Sequence, residues 1–326
     1  MVGRLSVGVD NPGKELAVIH SGRALGLSRY QRAERTRFLE AVEAFYRFDY
    51  RKAATLLDAL AAFDLEGRLG GYTPRHLRAR ALARLHEVTA AEPLEAGPLD
   101  TNSYQAVAIA GETLGNWLDV ARRLEQERND PALAGDAQLT VVQPLLAQAY
   151  AHLGRLEEAK ALVTSTPLDC YRCLITRGEI STLERDWTAA DRWWGELDRQ
   201  TSNQPLAPTE RAMSLLARGD IDGAMREADE AHRRGPHFAD PLEIWGEALM
   251  KKGDFAAATG KFAAADANAP RWGRNHLLWG EALMLSGRYA EARAQYQMAN
   301  GLDLSKPERA ALNTLLSRTA SGPLHR

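Results

Sequence analysis

An internal repeat of 34 residues constrains the fold of this chain more than any other feature of its sequence. Residues 241–270 align without a gap to residues 275–304, and small and large side chains recur in register. The equivalent pairs are Trp245 and Trp279, Gly246 and Gly280, Gly253 and Gly287, Phe255 and Tyr289, Ala258 and Ala292, Phe262 and Tyr296, and Ala265 and Ala299. Such self-similarity predicts one supersecondary unit that stacks on copies of itself.

The pattern continues toward the N-terminus and becomes less regular. A third copy contains Gly219, Asp220, Ala224, Ala228, Ala231 and Pro236. Weaker copies contain Gly178, Asp186, Trp187, Ala190 and Trp194, then Ala147, Tyr150, Gly154, Leu156 and Ala159, and then Asp49, Tyr50, Ala53 and Leu57. Two further helices are predicted at 75–85 and 104–126, and Pro, Gly and Asp residues predict loops at 90–102 and 127–136.

These residues resemble the tetratricopeptide repeat, a family of antiparallel helix pairs that stack into a right-handed superhelix. The resemblance implies an all-α fold, a right-handed α-solenoid. Small residues such as Gly246 and Ala258 let two helices approach to about 8 Å, and Pro270 ends a helix. One departure is that Trp245 and Trp279 directly precede the glycines, where the family usually has leucine. We predict a non-repeat leader (1–27), irregular helix pairs (28–170), regular repeats (171–304), and a capping helix with a tail (305–326).

Residues 1–27 do not fit the repeat. They alternate apolar and polar residues around the turn signal NPGK, so a short β-hairpin, a leader and a remnant of another domain all stay open. Gly8, Gly13 and Lys14 have the spacing of a phosphate-binding loop, but Glu15 stands where that loop needs a Ser or Thr hydroxyl. We interpret this segment as a turn.

Composition excludes several classes of partner. With 41 basic and 43 acidic side chains the net charge is -2, so no overall field attracts nucleic acid. No apolar stretch approaches the roughly 20 residues of a membrane span, and the N-terminus lacks the apolar core of a secretory signal. Only two cysteines are present, which agrees with a reducing compartment. We predict a cytoplasmic protein without a membrane or nucleic-acid partner.

Two local clusters invite a chemical interpretation. Cys170 and Cys173 form a C-x-x-C at a predicted helix start, and we interpret them as small buried side chains rather than a redox pair or half of a zinc site. The helix PRHLRARALARLHE is the most basic in the chain. Its arginines are interpreted as a solvated face, with binding of an acidic peptide or phosphates as the alternative; they are Arg75, Arg78, Arg80 and Arg84.

The resemblance also implies a binding surface. In the family, the first helix of each repeat lines an inner concave face. The positions that carry over are Leu206, Thr209, Met213, Asp240, Glu243, Glu247, Lys251, Arg274, Leu277, Glu281 and Met284. Glu243, Glu247 and Glu281 suggest an acidic strip for a basic or amphipathic helical segment, with solvated glutamates as the alternative.

No arrangement typical of catalysis, of a metal site or of a bound cofactor is found in the sequence. We therefore predict a non-enzymatic scaffold or adaptor that uses its concave face to bind a protein or peptide, without cofactor or metal. The alternative is a sensory or regulatory region of a bacterial signalling system that binds a small molecule or peptide. The sequence leaves the oligomeric state open.

Overall fold

The computed structural model describes residues 29–60, 74–91, 103–128, 135 and 138–320. Within these ranges the chain forms seventeen α-helices and one π-helical turn, Gln138–Val142, and no strand occurs among them. The predicted all-α solenoid of stacked antiparallel helix pairs is confirmed. The β-hairpin and the phosphate-loop spacing considered for residues 1–27 lie outside the described residues.

Eight helix pairs are followed by one capping helix. The first helices of the pairs, here called A helices, are α1 Arg29–Tyr46, α3 Pro74–Arg84, α5 Ser103–Leu114, α7 Gln143–His152, α9 Tyr171–Leu183, α11 Leu206–Arg218, α13 Asp240–Lys252 and α15 Gly273–Leu285. The second helices, here called B helices, are α2 Tyr50–Asp58, α4 Val88–Ala91, α6 Trp117–Glu127, α8 Leu156–Thr164, α10 Trp187–Gln200, α12 Ile221–Arg234, α14 Phe255–Asn268 and α16 Tyr289–Asn300. The capping helix is α17 Lys306–Ala320. No helix of the described residues combines the length and apolar character that a membrane span requires.

The turn between the A and B helix is the same in all eight pairs. One residue takes a left-handed conformation, and these residues are Phe48, His86, Gly115, Gly154, Arg185, Gly219, Gly253 and Gly287. In the seventh pair the φ of Gly253 is 85°, and the backbone N–H of Asp254 donates to the carbonyl of Leu249 at 2.9 Å. The turn therefore satisfies a carbonyl at the end of the A helix before the chain reverses.

Aspartate is the N-cap residue of four of the B helices. Asp254 accepts a hydrogen bond from the backbone N–H of Ala257 at 3.0 Å, and Asp49, Asp186 and Asp220 make the same contact. Each such cap stabilises a helix by about 1 kcal/mol. The Asp residues found by the repeat alignment are therefore helix starts.

Glycines on the A helices face large residues on the B helices. A Cβ at Gly246 would lie 2.6 Å from the ring of Phe262, and the rings of Trp194 and Tyr296 fill the same place opposite Gly178 and Gly280. Phe262 is fully buried. The repeated small residue is thus required by close packing between the helices of a pair.

The N-terminal pairs pack back onto the C-terminal repeats. One hydrophobic cluster joins residues of α1 to α4 with Leu206, Phe238, Leu242 and Trp272. Phe48 and Tyr50 contact Phe238 with ring centroids 5.5 and 5.9 Å apart. We call the contact that residues 48–60 and 74–89 make with residues 238–303 the closure contact, because it turns an open superhelix into a closed ring.

Polar groups complete the closure contact. The backbone N–H of Thr89 donates to Asp303 at 2.8 Å, and its hydroxyl donates to the other carboxylate oxygen. Glu87 pairs with Arg271 at 3.0 Å. These bonds connect positions more than 180 residues apart in the chain.

The helical segment expected at 104–126 contains two helices, because Gly115 and Asn116 form the turn of the third pair. One prediction about local structure was wrong. Cys170 and Cys173 are joined by a disulfide rather than packed as two separate thiols. Cys170 caps α9, which brings its sulfur to the backbone N–H of Cys173 at 3.2 Å.

Candidate functional site

The concave side of the ring encloses a cavity of about 650 Å³. Its wall is formed by side chains of the A helices from α3 to α15, together with α17 and a few residues of the connecting turns and B helices. Sites for small ligands and peptide side chains typically measure about 300–1,000 Å³. The cavity is thus large enough to hold an extended side chain or a small molecule.

The wall of the cavity is acidic. Four of its side chains are Lys or Arg, namely Arg84, Arg172, Lys251 and Arg274. Eight are carboxylates, namely Glu112, Glu179, Glu210, Asp240, Glu243, Glu247, Asp303 and Glu308. Because low-dielectric walls focus the field of such groups, the interior attracts cations although the whole chain is almost neutral.

Gln148 on α7 holds two of these carboxylates together. Its Nε2 donates to Glu112 at 2.8 Å and to Glu179 at 3.0 Å, and the Gln148 side chain is only 4% exposed. Both N–H groups of the amide are therefore used. The second carboxylate oxygen of Glu179 is buried without a hydrogen-bond partner.

Glu210 on α11 faces the same part of the cavity. We call Glu112, Glu179 and Glu210 the glutamate cluster. Burial, followed by repulsion from Glu112, raises the pKa of Glu210 to about 8. Burial also raises the pKa of Glu179 well above its ordinary value, and the charges of Glu210 and Glu112 raise it further. The cluster therefore tends to take up protons when no cation is present.

A second charged group lies where α13, α15 and α17 meet. Arg274 donates to Glu243 at 2.8 Å, to Glu247 at 3.0 Å and to Glu308 at 3.0 Å. Burial raises the pKa of Glu243 to about 7, against the opposing effect of Arg274. Burial acts in the same direction on Glu308, but hydrogen bonds from Ser305 and Arg274 outweigh it and lower that pKa. This group is internally paired.

His86 and Trp272 border the cavity at the closure contact. Their rings stack with centroids 3.8 Å apart, and His86 Nε2 lies 3.2 Å from an oxygen of Asp240. His86 also has a left-handed backbone, with φ of 61°. A non-glycine residue in this conformation is held there by its surroundings.

The structure brings together eight of the eleven concave positions predicted from the sequence. Those that line the cavity are Leu206, Thr209, Met213, Asp240, Glu243, Glu247, Lys251 and Arg274. Leu277, Glu281 and Met284 are not part of its wall. Leu277 is 4% exposed and packs with α16 and α17, so it is a core residue.

The predicted acidic strip does not exist as a row of free carboxylates. Glu243 is 3% exposed and shares Arg274 with Glu247, because α15 places that arginine between them. The alternative of solvated glutamates is also wrong for Glu243. One carboxylate oxygen of Glu179, also in the cavity wall, is buried without a hydrogen-bond partner.

The four arginines of the basic helix have different surroundings. Arg80 is 6% exposed and lies over the ring of Phe45, and Arg84 lines the cavity, so a solvated face is the wrong interpretation for both. Arg78 pairs with Asp58 at 2.6 Å, and Arg75 is exposed. The helix fails to form a solvated face because its pair packs into the closure contact.

The sequence analysis missed the glutamate cluster, although the signal was present. Glu247 and Glu281 directly follow the small residue of the A helix, and Glu112, Gln148 and Glu179 stand at the same position after Gly111, Ala147 and Gly178. Extending this register upstream identifies three cavity residues. Glu210 and His86 have no such signal.

Comparison with known proteins supports the fold described above. No family model and no curated protein matches the sequence. Among solved structures, yeast Tom70 is similar with a TM-score of 0.54 and 15% identity over 95% of this chain and 72% of Tom70. A tetratricopeptide repeat protein from Parabacteroides merdae gives 0.51 and 14% over 88% of this chain and 99% of its own. The Cut9-Hcn1 hetero-tetramer of the APC/C gives 0.51 and 13% over 95% of this chain, which spans 59% of the matched one. At sequence identities of 13–15%, the structural similarity to these proteins shows the fold alone.

Proposed function

Since this chain is a tetratricopeptide-repeat protein in its fold, we propose that it is a non-enzymatic scaffold or adaptor whose cavity holds a segment of a protein or peptide. Stacked helix pairs present an extended concave surface at little folding cost for each added pair. The partner is a basic or amphipathic segment. The observation that carries the proposal is the acidic wall of the cavity, with eight carboxylates and four Lys or Arg side chains.

Apolar groups in the same wall support a peptide as the occupant. Met213 is 50% exposed and Leu206, Ile175 and Trp117 lie around the cavity. Peptide-binding grooves commonly combine a few apolar contacts with charges that fix orientation. A basic segment with apolar residues between its charges matches both parts of the wall.

Site-specific photocrosslinking tests this proposal. Benzoylphenylalanine placed at Met213 reports on the cavity, and the same residue at Leu168, which is 56% exposed and outside the cavity wall, is the matched control. A polypeptide adduct formed in cells at position 213 and absent at 168 is the expected result. Equal adducts at both positions, or none at 213, would remove the cavity as a protein-binding site.

The closure contact supports a second candidate, a sensory or regulatory protein that binds a small molecule. His86 and Trp272 border the cavity and link the two ends of the ring. A bound ligand that stabilises this contact would change the surface formed by α1 to α4. A low-molecular-weight adduct at position 213 in the same experiment would favour this candidate over the first.

A further inference from the structure

The glutamate cluster is built from three separate helices. Glu112 lies on α5, Glu179 on α9 and Glu210 on α11, and Gln148 on α7 bridges the first two. Each carboxylate thus approaches the cavity from its own direction. No basic residue of the cavity forms an ion pair with Glu179, whereas Arg274 pairs three carboxylates further along the same wall.

Unpaired polar atoms mark this part of the wall. One carboxylate oxygen of Glu179 is buried without a hydrogen-bond partner. Trp194, 1% exposed, also lines the cavity, and its indole nitrogen has no partner either. The Trp194 ring packs on Gly178, the residue before Glu179. Of the buried side-chain atoms without a partner among the described residues, these two belong to residues of the cavity wall, so both are free to bond to a ligand.

We propose that the glutamate cluster receives one alkylammonium group, the end of a lysine side chain or of a free diamine. An ammonium carries three N–H donors around one compact charge, which matches three carboxylates that approach from three helices. A lysine residue also brings a main-chain carbonyl, the acceptor that the Trp194 indole lacks. This inference rests on the proposed function, because it names the chemistry of the bound segment.

Binding of the cation is linked to proton release. The pKa of Glu210 is raised to about 8, so its carboxyl holds a proton at neutral pH, and an arriving ammonium displaces that proton. The pKa of Glu179 is shifted in the same direction by burial and by the neighbouring carboxylates. Affinity should therefore rise with pH between about 6 and 8.5. The charged or titratable groups outside the cluster that act on its three carboxyl groups are Arg84, His86, Arg172 and Asp240.

The test measures thermal shift and isothermal titration of the full chain with four probes. These are N-acetyl-lysine methylamide, its norleucine and arginine counterparts, and cadaverine. The lysine derivative should raise the melting temperature and the norleucine derivative should not, because the two differ chiefly in the charged group. A larger shift with the lysine derivative than with cadaverine assigns the cation to a polypeptide, and equal shifts assign it to a free diamine. Equal shifts with norleucine or arginine derivatives would overturn the assignment to an ammonium.

Variants complete the test. Glu179→Gln keeps the shape and the hydrogen bond to Gln148 while it removes the charge, so the variant should fold and lose at least tenfold in affinity for the lysine derivative. Glu291→Gln, at an exposed pair with Arg288 on α16, is the control and should bind like the wild type. Unchanged affinity in Glu179→Gln overturns the inference. If the photocrosslinked polypeptide is found but no lysine derivative binds, the proposed function stands and this inference fails.

Discussion

The two halves of the ring have the same turns but differ in how they are held. In the C-terminal half, Gly219, Gly253 and Gly287 take the left-handed position, and Arg274 joins three helices of that half to one another. In the first two pairs of the N-terminal half, Phe48 and His86 take that position, and their side chains pack on residues of the C-terminal half. The regular repeats are thus held largely by their own contacts, whereas the irregular pairs depend on the closure contact.

The largest expected effect follows from removing Arg274. In Arg274→Met, Glu243 is left buried without its partner, which costs about 3–5 kcal/mol. If the N-terminal half depends on the C-terminal one, both halves should unfold together in a urea titration monitored by circular dichroism and by tryptophan fluorescence. Arg288→Met, which breaks an exposed pair, is the control and should cost far less. An equal loss in both variants would contradict the comparison.

Trp272→Ala should separate the halves. Trp272 is 5% exposed and packs with the N-terminal cluster, and removal of a buried aromatic side chain costs about 3 kcal/mol. Hydrogen exchange followed by mass spectrometry should show faster exchange in residues 74–91 while residues 255–268 keep their protection. Trp245→Ala, within the C-terminal stack, should not produce this pattern.

The pH dependence of stability should report the protonation of the buried carboxyl groups in the cavity wall. Glu210 and Glu243 have pKa values raised to about 8 and about 7, so the native state holds protons that the unfolded chain releases above its ordinary pKa near 4.5. The stabilising contribution of these two groups is fully present below the pKa of the unfolded chain. It is lost as the pH rises through the pKa values of the folded state. Since one pKa unit corresponds to about 1.4 kcal/mol, the free energy of unfolding should fall by roughly 2 kcal/mol or more between pH 5 and about 8.5. Glu210→Gln should flatten the upper part of this curve, and an unchanged slope would exclude Glu210 as its source.

The smallest effect concerns the turns themselves. Arg185 is exposed and left-handed, with φ of 61°, so Arg185→Gly should stabilise by roughly 0.5–1 kcal/mol, because relief of the backbone cost exceeds the added entropy of the unfolded chain. Gly219→Ala, the matched change in a C-terminal turn, should destabilise by about 1 kcal/mol. Both are measured by denaturant titration. Shifts of the same sign would show that the two kinds of turn are not equivalent.

Much of the fold could be predicted from the repeat. The period, the glycines opposite large rings and the aspartate caps follow from local rules, because each unit contacts mainly its neighbours. The third pair was not predicted because Asn116 stands where four of the other turns have Asp, and the second was not predicted because His86 stands in the glycine position. Propensity alone does not predict a left-handed His that long-range packing holds in place.

The site was only partly predictable. Positions such as Glu247 follow from the register of one repeat, and the same register reaches Glu112 and Glu179. Their contacts with other groups do not, because Arg274 is placed against Glu243 by the angle between two stacked pairs. His86 meets Trp272 only after the superhelix has passed through the five helix pairs that lie between them. The closure of the ring, and the cavity that it encloses, depend on long-range contacts and cannot be predicted from local sequence patterns.

The closure contact also fixes how many helix pairs lie between α4 and α15. An open solenoid tolerates the gain or loss of a unit, since each unit needs only its neighbours. Here an added pair between α4 and α15 would carry Trp272 and Asp303 away from His86 and Thr89. Duplication or deletion of one repeat, ordinarily a mild change in such proteins, would open the ring and with it the cavity.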